Sequence, residues 1–345
     1  MNLMVLSNYR PNSGWDTYTQ NLASALGDKA EFLYMFGSSP NKSQFARVFR
    51  EDSSQLKELY GRIFPKQYFK PLIKEIDYRR KEGLTLHYSY NLLPFIGNNL
   101  NDIVTIHDVI FMGPYADDGF FKSFYSKHLL RHYMAFNNII TVSKHTKKQL
   151  QHLGCKAEIE VIYPPCPDSF FRVSDKFQAR RVLGLPLDKI IVLSPSNDKP
   201  WKNLNNVFRT LKTLGEKYLL VRVGPSIGIG KTFSNVDSHT MNLLYNSADV
   251  LLFPSLEEGF GYPLVEALKT GLPAVVSDIE VFHEVGGNAV VYVDPTKVES
   301  ILEGVKIALN QSEKMSANGI RRSEKFTQAE FIKNLSAYYS NVLGT

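Results

Sequence analysis

The sequence predicts an α/β protein made of two successive parallel-sheet halves. Three observations carry this. Short apolar runs alternate with segments of helical period, the alternation stops once at a proline-rich stretch, and it then starts again. The candidate strands are apolar throughout, which is how strands read when helices cover both faces of a parallel sheet.

Each element follows from that pattern. Residues 2–7 read as the first strand and 17–26 as a helix with Tyr18, Leu22, Ala25 and Leu26 on one side. Further strands are expected at 31–35, 85–88, 103–106, 139–142 and 159–162, with helices at 120–136 and 144–152. The run Tyr163-Pro164-Pro165-Cys166-Pro167-Asp168 follows. Proline supplies no N–H to a ladder, so this run reads as an inter-domain connection. The pattern resumes with strand 190–194, helix 203–214, strand 218–223, helix 240–246, strand 249–253, helix 263–270, and strands 274–277 and 289–293. Helices 298–309 and 326–342 close the chain.

A length of 345 residues fits two domains, or one large one, at roughly 100–200 residues per domain. An apolar content of 43% and a charged content of 21% exclude a disordered or fibrous chain. Cys155 and Cys166 are too few for a disulfide scaffold and read as free thiols of a reducing compartment. The apolar start at 1–6 is too short, and lacks the basic lead-in, for a signal peptide. No uncharged apolar run approaches the ~20 residues of a membrane span. The expectation is a cytoplasmic protein, soluble or peripheral to the inner face of a membrane.

The net charge of +6 is unevenly placed. Residues 1–185 hold 24 Lys and Arg against 17 Asp and Glu, whereas 186–345 hold 16 against 17. The basic first half is either a solvated face or a surface for an anionic partner.

In open parallel sheets ligands bind outside the carboxyl ends of the strands, so chemistry is expected in the loops that leave those ends. The loop 8–16 contains Gly14 near a helix start, where backbone N–H groups can approach a phosphate. His107 and Asp108 directly follow the strand 103–106, placing an imidazole beside a carboxylate where it can donate to a substrate hydroxyl or stabilise charge beside a reacting centre. The loop 194–203 brings Asn197, Lys199 and Lys202 to a helix N-terminus. A cation is normally unfavourable there, and an anionic ligand would relieve the conflict. The densest candidate is Pro254-Ser255-Leu256-Glu257-Glu258-Gly259-Phe260-Gly261-Tyr262-Pro263-Leu264-Val265-Glu266-Ala267. Its glycines allow N–H groups to point at an anion, Pro263 suits a first helical turn, and Glu266 can accept two hydrogen bonds from a vicinal diol such as ribose.

Several apparent motifs fail. The segment 224–232 resembles a phosphate-binding P-loop, but the spacing to Gly230-Lys231-Thr232 is one residue too long and no good helix start follows. His128 and His132 lie one turn apart without a glutamate, and the cysteines are not spaced as a zinc knuckle. No Asp-x-Asp pair is present to hold a metal-bound diphosphate, so no metal site is expected.

The run from Ser255 to Ala267 resembles the E-x7-E motif of retaining GT-B glycosyltransferases. Thr105-Ile106-His107-Asp108, Lys202-Asn203-Leu204, Ala248-Asp249-Val250, Gly271-Leu272-Pro273 and Val293-Asp294-Pro295 extend the resemblance in the same order. It implies an α/β fold of two Rossmann-like domains with parallel sheets facing across a cleft. The domains would be 1–165, binding acceptor, and 186–325, binding nucleotide sugar, with 166–185 as linker and a helix at 326–345 crossing back. Carried over, Glu266 would hold the ribose and Lys202 the diphosphate, with Lys199 and Asn197 beside it. Glu258, His107 and the amides of Gly259, Phe260 and Gly261 would meet the transferred sugar, and Gly14 would lie near the diphosphate. Asn197 and Trp201 stand where the family more often has arginine.

The implied reaction moves a hexose, mannose or glucose, from a nucleotide diphosphate sugar to an acceptor hydroxyl with retention, and needs no cofactor or metal. Partners would be the nucleotide sugar and a carbohydrate or lipid-linked acceptor. A basic-aromatic stretch at 42–82 and the helix 120–136 suggest peripheral contact with an anionic membrane. The alternatives are a nucleotide-sugar epimerase of the same fold and a basic nucleic-acid-binding protein. No recognised nucleic-acid module supports the latter, and no nucleic-acid partner is expected.

Overall fold

The computed structural model describes residues 2–7, 14–34, 46–48, 70–89, 99–115 and 120–344, with the backbone alone at 15, 34, 46–48 and 120–125. Two compact units divide the chain: Met1–Pro164 with Phe331–Thr345, and Pro165–Glu330.

The strands of the first unit are β1 (Leu3–Ser7), β2 (Glu31–Tyr34), β3 (Ala46–Val48), β4 (Thr85–Tyr88), β5 (Ile103–Ile106), β6 (Asn138–Thr141) and β7 (Glu158–Val161). Among the described residues they form one sheet in the order β3-β2-β1-β4-β5-β6-β7, parallel throughout. β1, β4 and β5 are buried along their whole length, including the polar side chains Ser7, Thr85, His87 and Thr105 that interrupt or flank their apolar runs. The helix Lys70–Arg80 buries Leu72 and Ile76 in this core and ties down through an ion pair from Arg80 to the fully buried Asp102. Leu129 and the aromatics Tyr133 and Phe136 face the same core, so these three residues of the suggested basic-aromatic helix are packing residues. The helix there is Phe120–Tyr133, shorter than expected at its C-terminal end. The loop 8–13 and most of the stretch 42–82, including Phe45, Phe49, Tyr60, Phe64, Tyr68 and Phe69, lie outside the described residues.

The second unit holds β8 (Ile190–Pro195), β9 (Tyr218–Val223), β10 (Lys231–Phe233), β11 (Val250–Phe253), β12 (Ala274–Ser277) and β13 (Val291–Val293). Their order is β10-β9-β8-β11-β12-β13, again parallel throughout. Segment 231–233, the end of the false P-loop, is thus a strand rather than the start of a helix.

The stretch 166–185, expected as linker, is instead built into the second unit. Its helix Lys176–Val182, capped by Asp175 Oδ1 accepting from Gln178 N, is held by Asp249. That carboxylate accepts from Lys176 Nζ at 2.5 Å, from Arg180 at 2.6 Å and from the backbone N–H of Ile191 at 2.6 Å. Phe171 N and Val173 N donate to Asn242 and Asn246 of the helix Ser238–Ser247. Charges that read as solvated in the sequence are consumed in fixing this stretch.

Each sheet changes direction once. In the first, strands are added outward from β1 to β3 and then on the other side from β4; in the second, from β8 to β10 and then from β11. Such a switch point opens a crevice at the carboxyl ends of the two central strands. In the second unit the loops there, 196–203 and 254–261, are fully described.

Candidate active site

β8 and β11 are hydrogen-bonded neighbours, so their outgoing loops start side by side. The first loop opens with an Asx turn in which Asn197 Oδ1 accepts from Lys199 N at 3.3 Å, leaving both side chains exposed. A short 3-10 turn, Pro200–Lys202, follows, and Asn203 then adopts the left-handed conformation at φ 57° before the helix Leu204–Leu214. Asn203 repays that backbone cost by donating from Nδ2 to Pro254 O at 3.0 Å and Pro295 O at 2.7 Å. Leu256 N donates to Trp201 O at 2.7 Å. The two loops are therefore one stitched surface.

On that surface Lys202 Nζ meets Glu258 Oε1 at 2.5 Å and lies 5.3 Å from the centre of the Phe253 ring. The sequence conflict of a cation at a helix start is relieved internally, because Glu258 supplies the counter-charge. Side-chain exposures of 14% and 10% mean that the pair is largely desolvated, so each charge depends on the other.

Glycine at 261 is dictated by geometry. Its φ of 99° is left-handed, and a Cβ there would come within 2.9 Å of Phe282 Cε1. It caps the helix Tyr262–Thr270, with Pro263 in the first turn. Gly259, Phe260 and Gly261 are buried, and Phe260 packs edge-on against Tyr262 and Phe326. Ser255 Oγ, at the end of β11, is buried without a hydrogen-bond partner among the described residues.

Glu266 lies one turn inside that helix. Its Oε2 accepts from Tyr245 Oη at 2.6 Å, and burial pushes its pKa up to about 7 against the lowering effect of that bond. Tyr245, on the helix Ser238–Ser247, was missed in the sequence because an aromatic directly after Leu243 and Leu244 reads as core. Arg222 was also missed, although a charge inside the apolar strand Tyr218–Val223 is a legible signal. It is fully buried and donates to Ser196 O at 2.7 Å and Pro225 O at 3.1 Å, clamping the loops that leave β8 and β9.

His107 and Gly14 belong to the first unit. Gly14 is the first residue of the helix Gly14–Leu26 and is exposed. His107 follows β5, and its ring lies edge-on to Tyr18 at 4.8 Å. Nε2–H donates to Ser89 O at 2.7 Å, and burial pushes the imidazole pKa down to about 4. The ring is therefore neutral at pH 7 with its proton on Nε2, which leaves Nδ1 as an acceptor. This corrects the expectation that His107 donates to a substrate hydroxyl. Behind it, His87 is buried between Thr105 Oγ1 at 2.8 Å and Tyr339 Oη at 2.5 Å, and burial pushes its pKa down to about 3. Thr105 also bonds Tyr18 Oη at 3.1 Å, joining two strands, the first helix and the last helix, Gln328–Leu343.

Among the described residues no cluster of three or more His, Cys, Asp or Glu is placed to hold a metal, and no helix is long and apolar enough to cross a membrane. Cys155 and Cys166 are buried free thiols.

Residues 175–326, most of the second unit, match the family described as Glycosyl transferases group 1. O-antigen chain mannosyltransferase RfbU of Salmonella typhimurium is 29% identical over 237 residues, 66% of this chain, and this chain spans 64% of that protein's length. Sucrose-phosphate synthase from Thermosynechococcus elongatus superposes with a TM-score of 0.80 at 16% identity, covering 99% of both chains. HepE of Anabaena, solved in complex with UDP and glucose, gives 0.77 at 15% identity over 98% of both. The fold is thus the α/β GT-B fold of glycosyltransferase structures, and the stretch 175–326 carries the group 1 glycosyl transferase pattern.

Proposed function

We propose that this protein is a retaining hexosyltransferase that takes mannose or glucose from a nucleotide diphosphate sugar. The observation that carries the reading is the Lys202–Glu258 pair at the carboxyl ends of β8 and β11, with Glu266 following on the adjoining helix. A diphosphate beside Lys202 would share that ammonium with Glu258, and the helix starting at Tyr262 adds N–H groups and dipole to the same anion. Glu266 would accept from the ribose hydroxyls, while Lys199, Asn197 and Gly14 would line the diphosphate. Glu258, the 259–261 amides and His107 would orient the sugar, His107 by accepting a hydroxyl hydrogen at Nδ1. The relative named an O-antigen chain mannosyltransferase and the neighbour solved with UDP and glucose support this class of donor.

In the proposed step the bond between the anomeric carbon and the diphosphate oxygen breaks, and the acceptor oxygen forms its bond on the same face. The acceptor proton passes to the departing diphosphate. Lys202 meets the charge that develops there, so activity without added metal is expected. The acceptor is read as a carbohydrate or lipid-linked hydroxyl, the latter reached by peripheral contact of the basic first half with an anionic membrane.

The test is a panel of UDP-, GDP- and ADP-sugars in the presence of EDTA. It is run without acceptor, with soluble sugars, and with lipid-linked sugars on anionic vesicles. One donor should raise the melting temperature and be turned over to a product of unchanged anomeric configuration. Inversion would overturn the retaining mechanism. Conversion of the donor to another sugar without acceptor would favour an epimerase, and no turnover of any donor would overturn the reading.

A further inference from the structure

We propose that the Tyr245 phenol is a positioning residue for nucleotide binding, holding the Glu266 carboxylate in the orientation that receives a vicinal diol. The inference rests on the reading that Glu266 meets the ribose, and adds a residue on a different element. Tyr245 is 1% exposed, and its ring is fixed edge-on against Phe170 at 5.7 Å. From that fixed ring Oη donates to Glu266 Oε2 at 2.6 Å, within the range of a hydrogen bond to an ionised acceptor.

The rest of the carboxylate's surroundings make this contact decisive. Among the described residues no Lys, Arg or His nitrogen lies within 4 Å of Glu266, and no hydrogen bond reaches Oε1. The buried Cys166 thiol is close enough to feel the carboxylate's charge. One neutral donor therefore serves a group with about four acceptor positions. Without the phenol the carboxylate is free to turn about its terminal torsion, which is broad and weakly restrained. With it, one oxygen is pinned and the other keeps its lone pairs for ligand hydroxyls. A cis-diol offers two hydroxyl hydrogens at once, and a pinned acceptor receives both without losing that freedom on binding.

Tyr245→Phe keeps the ring packing and removes only the donor. UDP and GDP, with their 2′,3′-dideoxy analogues, are titrated by calorimetry into the protein and this variant, and the melting temperatures confirm folding. The wild-type protein should prefer the ribonucleotide, and Tyr245→Phe should weaken ribonucleotide binding about tenfold, the scale of a hydrogen bond to a charged group. Dideoxynucleotide binding should be unchanged by the substitution, because the phenol acts only through the diol. Equal weakening for both ligands, or no weakening for either, overturns the positioning role while the ribose role of Glu266 stands. A wild-type protein that does not distinguish the two ligands overturns the ribose role and this inference with it.

Discussion

At the carboxyl end of the first sheet the buried side chains around His87 are neutral and bond to one another, whereas at the carboxyl end of the second Lys202 and Glu258 are charged and paired across loops. His87, Thr105, Tyr18 and Tyr339 form a closed buried network, and both imidazoles there, His87 and His107, are held uncharged by burial. Lys202, Glu258 and Glu266 keep formal charge or sit near the point of acquiring it. The same sheet position thus serves two purposes. A neutral network fixes shape, and its loss is paid in folding stability; a charged pair at a strand end is available to exchange partners with an anionic ligand.

The comparison is broken most forcefully at Lys202. Lys202→Ala should lower kcat/KM for the donor found in the panel by about 10²–10³, the scale for removing one electrostatic donor at a developing charge. It also leaves Glu258 unpaired, so Lys202→Ala with Glu258→Gln removes both members of the pair without stranding a buried charge. Donor turnover within threefold of wild type in that double variant would show that the pair is structural.

A smaller effect sharpens the other side. Thr105→Val strands His87 Nε2 and Tyr18 Oη and should cost about 1–3 kcal/mol of stability in a urea titration, with nucleotide affinity unchanged. A loss of nucleotide affinity with intact stability would erase the distinction between the two regions.

What was legible in the sequence follows the same divide between local and distant causes. Val250–Phe253 and Ala274–Ser277 are unbroken apolar runs and are read directly. The helix Ser312–Ser323 was not, because it packs with small residues such as Ser316 and Gly319 and otherwise reads as polar. β10 was missed because all three of its residues are half-exposed and carry no burial signal. Glu258 and Lys202 stood out as charges in strand-end loops, and Glu266 as a carboxylate one turn into the helix that follows. The pairing of Lys202 with Glu258 across 56 positions did not, since nothing local encodes it. Asp249, within a segment quoted for the family resemblance, anchors the helix Lys176–Val182, a partnership across 73 and 69 positions that nothing local encodes. Asp294, by contrast, closes its own turn through Thr296 and Lys297, which hold its carboxyl down at about 2.

The central claim is that the second unit binds the nucleotide part of a sugar donor through Glu266. Calorimetric titration of the donor into wild type and Glu266→Ala at pH 6 and pH 8 tests it most directly, because the diester phosphates of a nucleotide diphosphate sugar do not titrate in that window. The carboxyl's folded value of about 7 lies above its ordinary 4.5, so its contribution to folding stability is present below pH 4.5 and lost as pH rises through 7. The ionised form that accepts two hydroxyls gains population over the same rise. Wild-type affinity should therefore strengthen from pH 6 to pH 8, while Glu266→Ala should bind about tenfold or more weakly at pH 8 and show no such rise. Equal affinity in the two proteins at both pH values would contradict the claim.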